Sequence, residues 1–331
     1  MEADRQPAGS LPANLPQVWI GPVATLKRAR NHPVTTSGAF PVPQGLRLIA
    51  TDLDGTIVPH GATVSERTIT ALASAQDAGI HVVYVTGRPP RSLMQVVART
   101  GHRGLAIGAN GSVLLDLGAG TTEVVHSISG AAVAQIADAL RRAVPDVVLG
   151  LETVDGIVME AGFDAARGVR SSEGLVPDHL PRPQEVPVEE LVGEQPIIKM
   201  LAASPAVSAD ELLSIGQDQV GHLTSATHSS PGVALMELGP LGVTKATTLA
   251  SVANGLGIGP DEVISFGDMP NDLAMLDWAG LGYAMSGGHP DAIATADQLA
   301  PPADQDGVAQ VLEPYLDRIG ATGDRVQVAD S

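Results

Sequence analysis

Short apolar strands that each run straight into a polar cluster restrict most strongly how this chain can fold. Leu46-Arg47-Leu48-Ile49-Ala50-Thr51 leads into Asp52-Leu53-Asp54-Gly55-Thr56, and Ile80 to Val85 stops at Thr86-Gly87-Arg88. Gly104 to Ile107 ends at the turn Asn110-Gly111, and Glu262 to Phe266 opens onto Gly267-Asp268-Met269-Pro270-Asn271-Asp272. Helical patterns separate these strands. In the first, Ser65 is a candidate N-cap, Ile69, Leu72, Ala73 and Ala75 mark an apolar face, and Gly79 closes the helix. Others run near Pro90 to Arg99 and from Lys245 to Leu256. Such alternation predicts an α/β fold with a parallel sheet wound in βαβ units. Ligands bind at the carboxyl ends of such strands, where each polar cluster lies.

Between residues 112 and 231 the pattern changes. Val113-Leu114-Leu115 and Glu123-Val124-Val125 read as hairpin strands, followed by a helix from Ala131 to Ala143 and strands at Val147 to Leu151 and Ile157 to Glu160. After a Pro-rich loop, Pro177 to Pro187, the strand Ile197 to Ala202 precedes a helix from Ser208 to Ile215. This predicts an α+β domain over 112–231, inserted between the halves 45–111 and 232–317 of the parallel domain. Residues 1–44 read as a flexible extension without a packed face and 318–331 as a disordered tail.

Charge and composition narrow the function. A formal net charge of -18 disfavours nucleic acid or an anionic membrane as partner, since either needs clustered Lys and Arg. Aromatic residues make up 2% of the chain, which removes base-stacking platforms, and the absence of Cys removes thiolate metal sites and cysteine nucleophiles. No apolar run reaches the roughly 18 residues that span a bilayer, and no signal peptide is legible, so the expected location is the cytoplasm, as monomer or homodimer.

Asp52 and Asp54, two residues apart just past a strand, project to the same side of the extended chain. Both can therefore face one reacting centre. One carboxylate can attack phosphorus, and the other can give a proton to the ester oxygen and later take one from water. Gly55 permits a tight turn or a close approach. Asp-x-Asp pairs are also common on surfaces and as N-caps, Thr86 suits a helix cap, and Arg88 suits either a bidentate phosphate contact or a loop cation. Lys199 on a strand and Lys245 at a helix start are both candidate ammonium groups.

Together these clusters resemble the four motifs of the haloacid dehalogenase (HAD) superfamily, and the chain is similar to its Cof-type, subclass IIB phosphatases from about Leu46 to Leu316. The resemblance implies a Rossmann-like HAD core with an inserted α+β type IIB cap. It implies that Asp52 is nucleophile and magnesium ligand, Asp54 the general acid/base, and Thr86 the hydrogen-bond donor to the transferred phosphoryl group. Gly242-Val243-Thr244-Lys245 selects Lys245 as the third motif and leaves Lys199 to the cap. Gly267 to Asp272 matches the fourth, so the expected magnesium set is Asp52, Asp54 through its carbonyl, and Asp268, with Asp272 counted beside them. Gly55, Gly87, Arg88, Asn110 and Asn271 are the expected substrate contacts. In one departure, Gly288 stands where Cof-type members often have Asn.

The implied activity is Mg2+-dependent hydrolysis of a small phosphate monoester, a sugar phosphate or phosphorylated cofactor, through an aspartyl-phosphate. Rival readings are a phosphomutase of the phosphomannomutase type and a non-catalytic phosphometabolite-binding protein. The nine His residues show no metal spacing, and His60, His102 and His289 read as loop residues near the cleft.

Overall fold

Leu48–Thr51 is buried at every position and forms the first strand, β1, of the computed structural model, which describes residues 40–43, 45–166, 184–229 and 234–322. The chain continues through α1 (Glu66–Asp77), β2 (His81–Val85), α2 (Pro90–Thr100), β3 (Leu105–Gly108), β4 (Val113–Asp116) and β5 (Thr121–Val124). Next come α3 (Gly130–Ala143), β6 (Val148–Glu152), β7 (Ile157–Met159), α4 (Phe163–Ala166), β8 (Lys199–Ala203), α5 (Ala209–Val220), β9 (Thr224–Thr227) and β10 (Leu235–Pro240). The last elements are α6 (Lys245–Gly255), β11 (Val263–Gly267), α7 (Leu273–Trp278), β12 (Leu281–Met285), α8 (Pro290–Thr295), β13 (Gln298–Ala300) and α9 (Gly307–Thr322).

Eight strands form one sheet in the order β13-β12-β11-β1-β2-β3-β4-β5. From β13 to β3 every pairing is parallel, and β4 and β5 extend that edge antiparallel. Successive side chains go to opposite faces. Ile49, Val82 and Tyr84 pack with Leu72 of α1, Leu93 of α2 and Leu312 of α9, while Leu48, Ala50 and Val83 pack with Leu249 of α6 and Met275 of α7. Covering both faces is what lets the central parallel strands be apolar throughout. Ser65 caps α1, its side chain accepting from the Thr68 amide, and Gly79 follows the helix at φ +87°.

A second sheet, β7-β6-β8-β10-β9, is antiparallel throughout. Met200, Ala202 and Leu238 on one face pack against Val133 and Leu140 of α3 and Leu212 of α5. Alternation then turns Lys199 and Leu201 to the other face.

The sheets move the expected domain boundaries. β4 and β5, assigned by sequence to the insertion at 112–231, pair onto β3 of the first sheet, whereas β10, assigned to the 232–317 half, lies inside the second. Local pattern announces a hairpin without saying which edge it joins. The tail expected from 318 is also shorter, because α9 continues to Thr322 and Ile319 packs against the main core. Nor is the end of the extension 1–44 without a face: Phe40 meets the Tyr283 ring edge-on at 6.3 Å, and Tyr283 donates its hydroxyl to the Pro41 carbonyl at 2.7 Å. The rest of the extension (1–39 and 44), most of the Pro-rich loop (177–183) and the tail from 323 lie outside the described residues.

Candidate active site

The neighbouring order β11-β1-β2-β3 lines up four strand ends, and just beyond them stand Asp268, Asp52, Thr86 and Asn110. Asp52 is 4% exposed, Asp268 3%, and Lys245 and Asp272 are fully buried. Lys245, in the first turn of α6 behind the Thr244 cap, donates to Oδ1 of Asp52 and to Oδ1 of Asp272, each at 2.7 Å. Lys199 pairs with Glu237 on the second sheet, so of the two candidates Lys245 is the one placed against Asp52.

Three buried carboxylates around one ammonium leave excess negative charge. The Asp52 carboxyl is pushed well above the usual range, by burial first, with Asp272, Asp268 and Asp54 adding to the rise and Lys245 opposing it. Asp268 is pushed up to about 7 by burial and by Asp272, against the pull of Lys245 and of the Thr56 hydroxyl, which donates to its Oδ1 at 3.1 Å. Lys245 itself stays above the ordinary lysine range, since Asp272 and Asp52 outweigh the lowering effect of burial.

Oxygens from Asp52, Asp268 and Asp272 lie within 4.8 Å of one another, a donor set suited to a hard divalent cation. Asp272 is the exception to the expected metal set. Its Oδ1 accepts from Lys245, and its Oδ2 accepts the amides of Asp268 and Met269 at 2.9 and 3.0 Å. With both oxygens engaged, it fixes the Asp268 loop rather than offering a free ligand atom. Asp52 and Asp268, whose carboxyls are destabilised as anions, are the groups a cation would relieve.

Gly55 also has a different role from the expected substrate contact. Its amide donates to the Val58 carbonyl at 2.9 Å, and at φ +81° a Cβ would sit 2.1 Å from Oδ2 of Asp268. The glycine makes room for the Asp268 carboxylate. Gly288 is similarly confined, a Cβ there falling 2.6 Å from the Asp268 carbonyl oxygen.

Asp54 is held by Arg88 in a two-point contact, Nε to Oδ2 at 2.7 Å and Nη2 to Oδ1 at 2.5 Å. The guanidinium also donates to the Ser92 carbonyl at 3.2 Å. Arg88 is thus committed to positioning Asp54, in place of the expected phosphate contact. The Thr86 hydroxyl oxygen accepts the Arg88 amide at 3.1 Å and keeps its own proton to donate.

The second sheet roofs this face. A cavity of about 390 Å³ is lined by Asp52, Asp54, Thr86 and Asn271 from below and by Glu152, Lys199 and Glu237 from above. Lys199 donates to the Gly87 carbonyl and to Oε2 of Glu237, both at 2.8 Å, and lies 3.2 Å from Glu152. Asn110 donates to Glu237 at 2.9 Å and accepts from Asn271 at 3.1 Å, while Oδ1 of Asn271 is buried with no partner among the described residues. Gly87 has little spare room, a Cβ there lying 3.1 Å from Asn110. Sequence reading passed over Glu237 and its pairing with Lys199. An isolated acid and lysine on separate strands carry no local sign that they will meet.

The profile of the haloacid dehalogenase-like hydrolase family matches residues 49–312. The 5-amino-6-(5-phospho-D-ribitylamino)uracil phosphatase YcsE of Bacillus subtilis is 25% identical over 273 residues, spanning 82% of this chain and 96% of the relative. The solved HAD subclass IIB sugar phosphatase BT4131 superposes with a TM-score of 0.66 at 21% identity, over 81% of this chain and 98% of that one. A shorter stretch of 81 residues, 24% of this chain and 14% of the relative, is 40% identical to the chloroplastic endoribonuclease YBEY of Arabidopsis thaliana. The chain belongs to the haloacid dehalogenase-like hydrolase family. Among the described residues no helix is long and apolar enough to cross a membrane.

Proposed function

We propose that the protein is a Mg2+-dependent phosphatase that hydrolyses a small phosphate monoester through an aspartyl-phosphate on Asp52. The observation that carries this reading is the placement of Asp52 and Asp54 on one wall of a cavity of about 390 Å³, with a buried ammonium behind the first and a guanidinium clamping the second. A sensing protein has no use for that pair.

Oδ1 of Asp52 is occupied by Lys245, which leaves Oδ2 to attack phosphorus as the ester bond breaks. Thr86 and Lys245 would hold the transferred phosphoryl oxygens. Asp54, kept in position by one of its two Arg88 contacts and protonated from solvent at the other oxygen, would give that proton to the departing alkoxide. The same carboxylate then takes a proton from the water that attacks the phosphoryl group and frees Asp52. Asp52, Asp268 and the Asp54 carbonyl would hold magnesium, whose contribution is to neutralise charge on the phosphate and carboxylates. Asp272 keeps the Asp268 loop in place through its two amide contacts.

The size of the cavity and its polar roof favour a small hydroxylated or heteroaromatic leaving group. YcsE and the other relatives named as phosphatases support this substrate class without fixing one member of it. The test is a panel of sugar phosphates and phosphorylated cofactors, assayed for released phosphate with and without magnesium. Turnover by wild-type protein and none by Asp52→Asn supports the reading; equal rates from the two proteins would overturn it.

A further inference from the structure

Outside the carboxylate cluster, a second group of metal-capable side chains lies between the two sheets. Asp210 stands in the first turn of α5, His228 directly after β9, and His289 at the head of α8. The first two belong to the inserted sheet and the third to the catalytic one. Nε2 of His228 lies 2.8 Å and Nε2 of His289 3.3 Å from the same oxygen, Oδ1 of Asp210. The imidazoles are 5.6 Å apart and nearly perpendicular, at 78°.

We propose that Asp210, His228 and His289 form a second metal site, taking a borderline divalent ion of the zinc class, that ties the inserted domain to the catalytic one. Ligand atoms about 2.0 to 2.2 Å from a tetrahedral ion lie roughly 3.3 to 3.6 Å apart. The observed separations of 2.8 and 3.3 Å are close to that spacing, so small side-chain adjustments admit the ion. Two imidazoles and one carboxylate match the open catalytic or regulatory sets of zinc, and imidazole disfavours magnesium.

A second observation comes from His228. It is 2% exposed, and its Nδ1 is buried with no hydrogen-bond partner among the described residues. Burial holds its Nε2 toward Oδ1 of Asp210, and metal at that nitrogen would place the ring proton on Nδ1. His289 needs a tautomer change, because its Nδ1 accepts the Asp291 amide at 3.2 Å. The Asp291 carboxylate, 3.8 Å from that nitrogen, is placed to accept a hydrogen bond from Nδ1–H once Nε2 binds metal.

The position gives such an ion a consequence. The three residues line a cavity of about 470 Å³ that also contains His60 and Asp268, and the His289 amide donates to the Asp268 carbonyl at 2.7 Å. An ion here would pin the roof against the floor beside the catalytic carboxylates. Where turnover needs these two domains to part, a bound ion would slow it.

The experiment is zinc binding to the full-length protein in excess magnesium, read by competition with a chromophoric chelator. Wild type should take one equivalent, and Asp210→Ala and His289→Gln should each bind at least roughly tenfold more weakly. No uptake by wild type, or equal uptake by both variants, overturns the site. This readout does not depend on phosphatase activity. Where turnover is measured, zinc should slow wild type and spare Asp210→Ala. Equal slowing would place the ion at Asp52 and Asp268 instead and overturn the tie between domains.

Discussion

Lys245 holds its ammonium 2.7 Å from Oδ1 of Asp52, fully buried, and shares it with Asp272 at the same distance. Breaking a buried ion pair by removing one partner typically costs about 3 to 5 kcal/mol. Lys245→Met is therefore expected to lose about that much stability in urea unfolding without divalent ions, and the double variant Lys245→Met/Asp272→Asn to recover part of it. A loss below about 1 kcal/mol, typical of a surface pair, would contradict the buried role.

Gly55→Ala tests the space beside Asp268. The substitution meets both a positive φ and a carboxylate oxygen 2.1 Å from the new Cβ. About 1 to 3 kcal/mol of destabilisation is expected. Magnesium affinity should fall with it, measured by calorimetry. Unchanged affinity would mean that Asp268 need not stand where it does.

The Asp268 carboxyl, pushed up to about 7, gives a pH dependence. In the unfolded chain an Asp deprotonates near 3.9. Between these values the folded state binds more protons than the unfolded one, so this group makes the metal-free protein less stable as pH rises from about 4 to about 7. Magnesium competes with the same proton, and its affinity should rise with pH up to about 7. In Asp268→Asn both trends should flatten, as followed by thermal unfolding and magnesium titration.

Asp54 and Arg88 are separable by leaving group. Asp54→Asn should slow alkyl phosphates by about a hundred- to ten-thousand-fold and activated aryl phosphates much less, since the latter need little proton donation. Because Arg88 grips Asp54 at 2.7 and 2.5 Å, Arg88→Gln should repeat that bias in kcat. A rise in KM of equal size for both substrate kinds would assign Arg88 to the substrate phosphate instead.

What the sequence disclosed is what the chain encodes locally. Asp52, Thr86, Asn110 and Asp268 each follow a strand within a few residues, so strand pattern and polar cluster are read together. Ser65 and Gly79 marked the ends of α1 for the same reason. Edge pairing is not local: β4 and β5 could not be told from a hairpin of the insertion, and Thr224–Thr227, a Thr-Ser-Ala-Thr run with no large apolar residue, gave no strand signal. The same holds inside the site. That both oxygens of Asp272 are taken, and that Arg88 reaches Asp54 across 34 residues, are facts of packing. Within the inserted domain, Glu152 lines the cavity, whereas Glu160 is tied to the amides of Leu149 and Val188.

On this mechanism the phosphoryl group passes through Asp52. Rapid acid quench of a single turnover, followed by mass spectrometry of the peptides, measures this directly, and Asp54→Asn protein lengthens the life of the intermediate by slowing its hydrolysis. A phosphoryl group that appears on Asp52 and decays at the rate phosphate is released is the predicted result. Release of phosphate with Asp52 unmodified at every time point, or a phosphoryl group mapped to another residue, would contradict it.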